Sequence, residues 1–244
     1  MTVSLDSLDG LRSLAVIDFV EYNTPINIVG MGAVGSKLFE QLICLGARNL
    51  HIWDFDTVEA HNRHNQIFGM SHVGMTKVDA CLDWLEWKYG DDVLLDITAH
   101  HELVTADTPL KGIIASCVDT FDGRRALINN AVASGAVDFM VEGRCAPKFY
   151  NVWTVDPSEP LQVQGFLDGL GNDDDPEPHV AICGSPISFT TVMSGCAVTM
   201  CNQIVNKLKG SKLAAKQQKI NVFHAPMFTV GSQIVATEVT NAQS

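Results

Sequence analysis

Ile26-Asn27-Ile28-Val29-Gly30-Met31-Gly32-Ala33-Val34-Gly35 is the stretch on which the fold turns. A short apolar run that breaks into a glycine turn is the pattern of a buried strand. Val34, Leu38, Leu42 and Leu45 then recur at helical spacing and stop at Gly46, which predicts a helix directly after the turn. Gly30, Gly32 and Gly35 are therefore candidate nucleotide-binding residues. Glycines at a strand–helix junction let the backbone turn tightly and approach a phosphate, and the helix N-terminus offers N–H groups to the anion. Asp54 and Asp56 close the next apolar run, about two dozen positions on, where a carboxylate can accept ribose hydroxyls. Together these residues specify a nucleotide with a ribose and phosphates, but not which one.

Working outward, strand and helix signals alternate. Residues 50–54 read as a second strand, and Val78, Cys81, Leu82 and Leu85 mark a second helix. Residues 93–98 and 112–117 are further strands, 122–134 a helix, and 137–142 and 149–155 strands again. Such alternation implies an α/β, Rossmann-like, mostly parallel sheet with helices on both faces, here as a single domain over residues 1–244. Residues 1–25 read as an N-terminal helical extension on Leu8, Leu11, Leu14 and Ala15. Residues 156–179 hold seven acidic residues, no Lys or Arg and four of the nine prolines. That composition predicts a long exposed loop, within a crossover segment of residues 156–184. Residues 185–244 would supply a buried helix, starting near Ser185-Pro186 and ending at Leu208, and late strands at 220–223 and 228–239.

Composition excludes several classes. With 16 basic and 28 acidic residues the net charge is −12, against a nucleic-acid binder held by phosphate contacts. Hydrophobic residues make up 46% and charged ones 18%, the balance of a folded chain. Seven cysteines stand singly with no Cys-x-x-Cys pair, so reduced thiols, a cytoplasmic setting and no structural zinc are expected. No basic, apolar leader is evident at the start, and the most apolar stretch, 181–208, is too polar for a membrane span.

The segment Asp54-Phe55-Asp56-Thr57-Val58-Glu59-Ala60-His61-Asn62-Arg63-His64-Asn65-Gln66 resembles the DxDxVxxxNxxRQ stretch of the ThiF/MoeB/HesA family, bacterial relatives of ubiquitin-activating enzymes. Gly74-Met75-Thr76-Lys77 is similar to the family's GxxK. Cys117-Val118-Asp119-Thr120-Phe121-Asp122-Gly123-Arg124 is similar to its strand-end Asp followed five positions later by Arg. The resemblance implies use of ATP and Mg²⁺ to adenylate the C-terminal carboxylate of a small ubiquitin-like or sulfur-carrier protein or peptide, with release of pyrophosphate. It implies that Asp54, ahead of Asp56, accepts the ribose hydroxyls, that Lys77 contacts phosphate, and that Asp119 holds Mg²⁺. Asn62 and Gln66, if helical, share a face toward the polyphosphate. Asp119 could instead cap the following helix, as could Asp122, and Arg124 could face phosphate or make an ion pair. Family members are commonly homodimers, with Arg12 the candidate for an arginine reaching into the neighbouring subunit's site. Cys183, just beyond the acidic stretch, is a candidate thiol nucleophile by the same resemblance, but acidic neighbours raise a thiol's pKa and favour reading it as a small buried side chain.

The chain also departs from the family pattern. Asn65 replaces the usual Arg before Gln66, leaving Arg63 displaced by two positions. His61, His64 and His72 have no strong metal-ligand spacing and read as polar loop residues. Two other readings stay open: a non-catalytic nucleotide-binding partner subunit of the same family, and an NAD-linked oxidoreductase.

Overall fold

The computed structural model describes residues 17–19, 21–90, 96–173 and 189–210, with the backbone of 217–221. Among these residues seven strands form one sheet: β1 (Ile26–Val29), β2 (Asn49–Trp53), β3 (Asp96–His100), β4 (Gly112–Ser116), β5 (Val137–Cys145), β6 (Phe149–Val155) and β7 (Gln217–Asn221). Their order is β3-β2-β1-β4-β5-β6-β7. β1 lies parallel to both β2 and β4, with Ile26 opposite Leu50 on one side and Ile113 on the other. The strand order reverses between β1 and β4, and open sheets of this kind receive ligands at the carboxyl ends of the strands at that point. β5 continues the parallel part, while β6 and β7 run antiparallel.

Among the described residues five α-helices cover the sheet: α1 (Gly35–Cys44), α2 (Lys77–Tyr89), α3 (Phe121–Ser134), α4 (Pro160–Asp168) and α5 (Thr190–Leu208). The apolar faces of α1, α2 and α5 pack with Ile28, Ile52, Ala115 and Val141 on one side of the sheet. On the other, α3 and α4 pack with Val29, Ile114, Met140 and Val155. Leu38 and Leu42, one helical turn apart, are fully excluded from water. Each such side chain contributes about 1.5–3 kcal/mol by leaving solvent, so the spacing that predicts α1 is also what fastens it. Among the described residues no helix is long and apolar enough to cross a membrane.

Three expectations need correction. The acidic stretch is not loop throughout, because α4 occupies its first half. Pro160 stands in the first turn of α4, where its fixed φ suits a helix start. Val163, Phe166, Leu167 and Leu170 then recur at helical spacing and pack on the sheet, with the Phe166 ring edge-on to Trp153 at 6.1 Å. Composition summed over the segment masks this periodicity, since most of the acids fall after residue 167. Helix α5 begins at Thr190, with extended Phe189 before it, later than the Ser185-Pro186 start, which lies outside the described residues. The first late strand is β7, starting at Gln217 rather than 220. Residues 222–244 and the proposed N-terminal helix up to residue 16 lie outside the described residues, as do Arg12 and Cys183.

Candidate functional site

The glycine turn follows β1 at the point where the strand order reverses. Gly30 has φ +91°, and a Cβ there would sit 2.8 Å from the Cys117 carbonyl oxygen. A Cβ on Gly35 would sit 1.8 Å from the Gly30 carbonyl oxygen. Both glycines are thus demanded by the protein's own packing. Gly32 is different: a Cβ there would meet nothing within 4 Å. The bare backbone at Gly32 borders open space, ahead of a helix with no side-chain cap and no acid in its first turn. An uncapped helix start of this kind suits an anion.

Asp54, at the end of β2, is 8% exposed. Its Oδ2 accepts the Met31 N–H at 2.7 Å and its Oδ1 the Asp56 N–H at 2.8 Å, so the carboxylate clamps the glycine turn. Burial raises its pKa above the ordinary carboxylate range, with the Lys77 charge opposing. Lys77 opens α2 behind the N-cap Thr76, whose hydroxyl accepts the Asp79 N–H at 3.1 Å. The Lys77 Nζ donates to Asp56 Oδ2 at 2.7 Å and lies 3.8 Å from Asp54 Oδ2. Asp54, Asp56 and Lys77, separate in sequence, therefore form one cluster beside the glycine turn.

Asn62 and Gln66 are linked, but not by an α-helix. Ala60–His64 is a 3₁₀ turn, Asn62 Oδ1 accepts the Glu59 N–H at 2.8 Å, and the Gln66 N–H donates to the Asn62 carbonyl at 3.1 Å. The Asn62 side chain is thus committed to capping, whereas the buried Gln66 Oε1 has no hydrogen-bond partner among the described residues. Arg63 folds back so that Nε donates to the Ala60 carbonyl at 3.0 Å. His72 is not a polar loop residue. It is buried, its Nδ1 accepts the Gly69 N–H at 2.9 Å, and its Nε2 lies 2.9 Å from Asp83 Oδ2.

Asp119 lies on the turn between β4 and α3, next to the glycine turn because the Cys117 N–H bonds the Val29 carbonyl at 2.8 Å. Its side chain is exposed. Thr120 caps α3, its hydroxyl accepting the Gly123 N–H at 3.1 Å. Neither Asp119 nor Asp122 is the cap, and Asp122 pairs instead with Arg125 at 2.9 Å. Arg124 is buried: Nη2 donates to the Val118 carbonyl at 2.8 Å, Nη1 to the Asp119 carbonyl at 3.3 Å, and Nε lies 2.7 Å from Glu142 Oε1. It makes an ion pair inside the fold rather than facing phosphate.

Sequence reasoning passed over three charged residues. Glu142 is fully buried on β5, and its Oε2 accepts from Arg144 Nε at 2.8 Å. Burial raises the Glu142 carboxyl above its ordinary range, opposed by Arg144 and Arg124. Arg144 also donates from Nη1 to the Gly169 carbonyl at 2.6 Å, with its guanidinium over the Trp153 and Phe166 rings. Asp173, from the acidic segment, accepts the Phe121 N–H at 2.6 Å and the Asp122 N–H at 2.9 Å at the start of α3. Those two bonds hold its carboxyl below its ordinary pKa. A glutamate at the end of the apolar run 137–142, with an arginine two residues on, was the available signal for the first two.

The residues fit Mg-ATP. Open backbone at Gly32, the uncapped start of α1 and the Lys77 ammonium suit phosphates, and Asp119 offers a hard oxygen ligand. Among the described residues no three His, Cys, Asp or Glu side chains form a ready metal cage. A cation here would take one carboxylate and draw its other ligands from phosphate and water, as Mg²⁺ commonly does.

Comparisons with known proteins agree with this architecture. The chain is similar to ubiquitin-like modifier-activating enzyme 5 of Oryza sativa subsp. japonica, at 29% identity over 177 residues, covering 57% of this chain and 42% of the relative. The chain thus spans less than half the length of that relative. Its fold matches that of E. coli MccB, solved with AMPCPP and MccA, with a TM-score of 0.68 at 14% identity over 93% of this chain and 70% of the other. It also matches PaaA, with a TM-score of 0.65 at 19% identity over 94% of this chain and 74% of the other. The ThiF family model covers residues 22–242, a range that takes in the glycine turn, the acid–lysine cluster and the Asp119 turn, and by that match the chain belongs to the ThiF family.

Proposed function

We propose that this protein uses Mg-ATP to adenylate the C-terminal carboxylate of a small ubiquitin-like or sulfur-carrier protein or peptide. The observation that carries the reading is the pairing of an open glycine, Gly32, with a free carboxylate, Asp119, on adjacent turns where the strand order reverses. In this reaction a carboxylate oxygen of the substrate attacks the α-phosphorus, the bond to the bridging oxygen breaks, and pyrophosphate leaves, so an acyl-adenylate forms. Catalysis of such a transfer is mostly positioning and charge neutralisation. The α1 N-terminus and the backbone around Gly32 would receive phosphate oxygens. Asp54 would orient the ribose while holding the turn through Met31, and Lys77 would exchange part of its contact with Asp56 for phosphate. A magnesium ion on Asp119 would supply charge neutralisation at the departing pyrophosphate. The buried Gln66 Oε1 is an acceptor still lacking a donor. A homodimer completed by Arg12 and a cytoplasmic setting belong to the same proposal.

ATP–pyrophosphate exchange tests it, with a panel of purified sulfur-carrier and ubiquitin-like proteins ending in a free C-terminal carboxylate. Exchange that depends on both carrier and Mg²⁺ is the expected result. Nucleotide binding without exchange for any carrier would favour the non-catalytic partner reading. A rise in melting temperature with NADH but not with Mg-ATP would overturn the proposal.

A further inference from the structure

The carboxylate of Glu142 lies outside the cluster at the glycine turn, and nothing in the adenylation chemistry calls for a buried glutamate at this point of β5. Its two oxygens face different guanidiniums. Oε1 lies 2.7 Å from Arg124 Nε and Oε2 lies 2.8 Å from Arg144 Nε. The Glu142 side chain is 0% exposed and those of its partners 9% and 16%, so water does little to screen the group. Each arginine also reaches backbone carbonyl groups elsewhere, Arg124 with both outer nitrogens and Arg144 with Nη1. Arg124 holds the carbonyls of Val118 and Asp119, which set the direction in which the Asp119 side chain leaves the turn. Arg144 holds the carbonyl of Gly169, just after α4.

From this geometry we infer that Glu142 is a positioning residue for Asp119, acting through Arg124, and that it ties the metal-binding turn to the segment leaving α4. The inference rests on the function proposed above. Two guanidiniums on either side of one carboxylate attract it and repel each other. Removing the carboxylate charge leaves two buried cations facing one another, and Arg124 can retreat only by giving up the carbonyls of Val118 and Asp119. Both have aromatic neighbours, Arg144 over the Trp153 and Phe166 rings at 5.0 and 5.3 Å and Arg124 over the Phe121 ring at 5.2 Å. When Arg124 shifts, the carbonyls of Val118 and Asp119 lose their donors and the carboxylate on the same turn loses its fixed aim. Groups that orient a metal ligand without touching the metal commonly govern affinity by about 10–100-fold.

The test uses the full chain and two measurements. The first is calorimetric binding of ATP over a range of Mg²⁺ concentrations and in EDTA. Glu142→Gln should raise the Mg²⁺ concentration needed for half-maximal strengthening by about tenfold, with ATP affinity in EDTA within about twofold of wild type. In an Asp119→Asn background the same change should add nothing to the Mg²⁺ dependence, because the group it positions has gone. The second measurement is hydrogen exchange in the nucleotide-free protein, where peptides covering residues 117–124 should exchange faster in Glu142→Gln while those covering β1 do not. If Glu142→Gln does not fold, Glu142→Asp retains the charge but shortens the reach, and should give the same two shifts at smaller size. A variant with wild-type Mg²⁺ dependence, equal losses with and without Mg²⁺, or unchanged exchange at 117–124 overturns the inference alone. A wild-type chain that binds no ATP at any Mg²⁺ concentration overturns the functional reading, and this inference with it.

Discussion

Adding one methyl group at each of the three glycines separates phosphate binding from folding. At Gly35 the new carbon would lie 1.8 Å from a backbone oxygen, against an ordinary contact of 3.4–4 Å. Backbone must retreat there, at a cost of about 3 kcal/mol or more. At Gly30 the obstacle is the 2.8 Å approach to the Cys117 carbonyl together with a φ of +91°, so Gly30→Ala should be of similar severity. Gly32 has nothing within 4 Å, so Gly32→Ala should keep stability within about 0.5 kcal/mol. If the open space is where phosphate lies, the same methyl should weaken ATP binding at least tenfold, or about 1.4 kcal/mol. Urea melts of the three variants, followed by calorimetry with Mg-ATP on those that fold, measure both quantities. Should Gly32→Ala bind ATP like wild type, the glycine turn is not the phosphate cradle. Should it melt as early as Gly35→Ala, the packing argument itself is wrong.

Asp119→Asn should fold normally, since Thr120 caps α3, yet lose ATP–pyrophosphate exchange; near-normal exchange at limiting Mg²⁺ would make Asp119 structural. Lys77→Met removes the cation that opposes burial at Asp54. Because the Asp54 pKa is already raised, its contribution is fully present below the unfolded carboxyl pKa and is lost as pH rises through the folded one. The variant should therefore lose on the order of 2 kcal/mol near pH 7.5 and much less near pH 4, as urea melts at the two pH values would read. Asp173 behaves in the opposite sense: its lowered pKa adds stability above the unfolded value near about 4. The melting temperatures of wild type and Asp173→Asn should differ at pH 7 and converge as pH falls through the folded Asp173 pKa. His72→Ala removes a buried ring packed on Phe68 together with its bonds to the Gly69 N–H and Asp83, and should cost about 1–3 kcal/mol while leaving Mg-ATP affinity unchanged, measured by melting and calorimetry.

The parallel core was legible because its strands are short apolar runs and its helices carry period-3.6 stripes; residues 26–46 define β1, the turn and α1 on inspection. The acid–lysine cluster was legible through motif order, although spacing alone could not show that Lys77 reaches back to Asp56. Helix α4 was hidden by the acids around it, since a window dominated by charge conceals one buried stripe on Val163, Phe166 and Leu167. The Glu142 hub was hidden for a different reason. Arg124 can serve phosphate or carboxylate equally well on chemical grounds, and only the register that sets Ser116 beside Glu142 brings its partner within reach. Asp173 escaped because a helix cap supplied from 51 residues away leaves no local trace.

That remote cap has a consequence for how the chain beyond α4 is held. With Asp173 pinned to the start of α3, and the carbonyls of Gly169 and Gly171 held by Arg144 and Arg125, the segment that follows α4 is fixed one helix start away from Asp119. Two of its three anchors are backbone carbonyls that any residue supplies, so the joint depends on one side chain, and a single carboxylate keeps the end of this segment in register with the turn that carries Asp119.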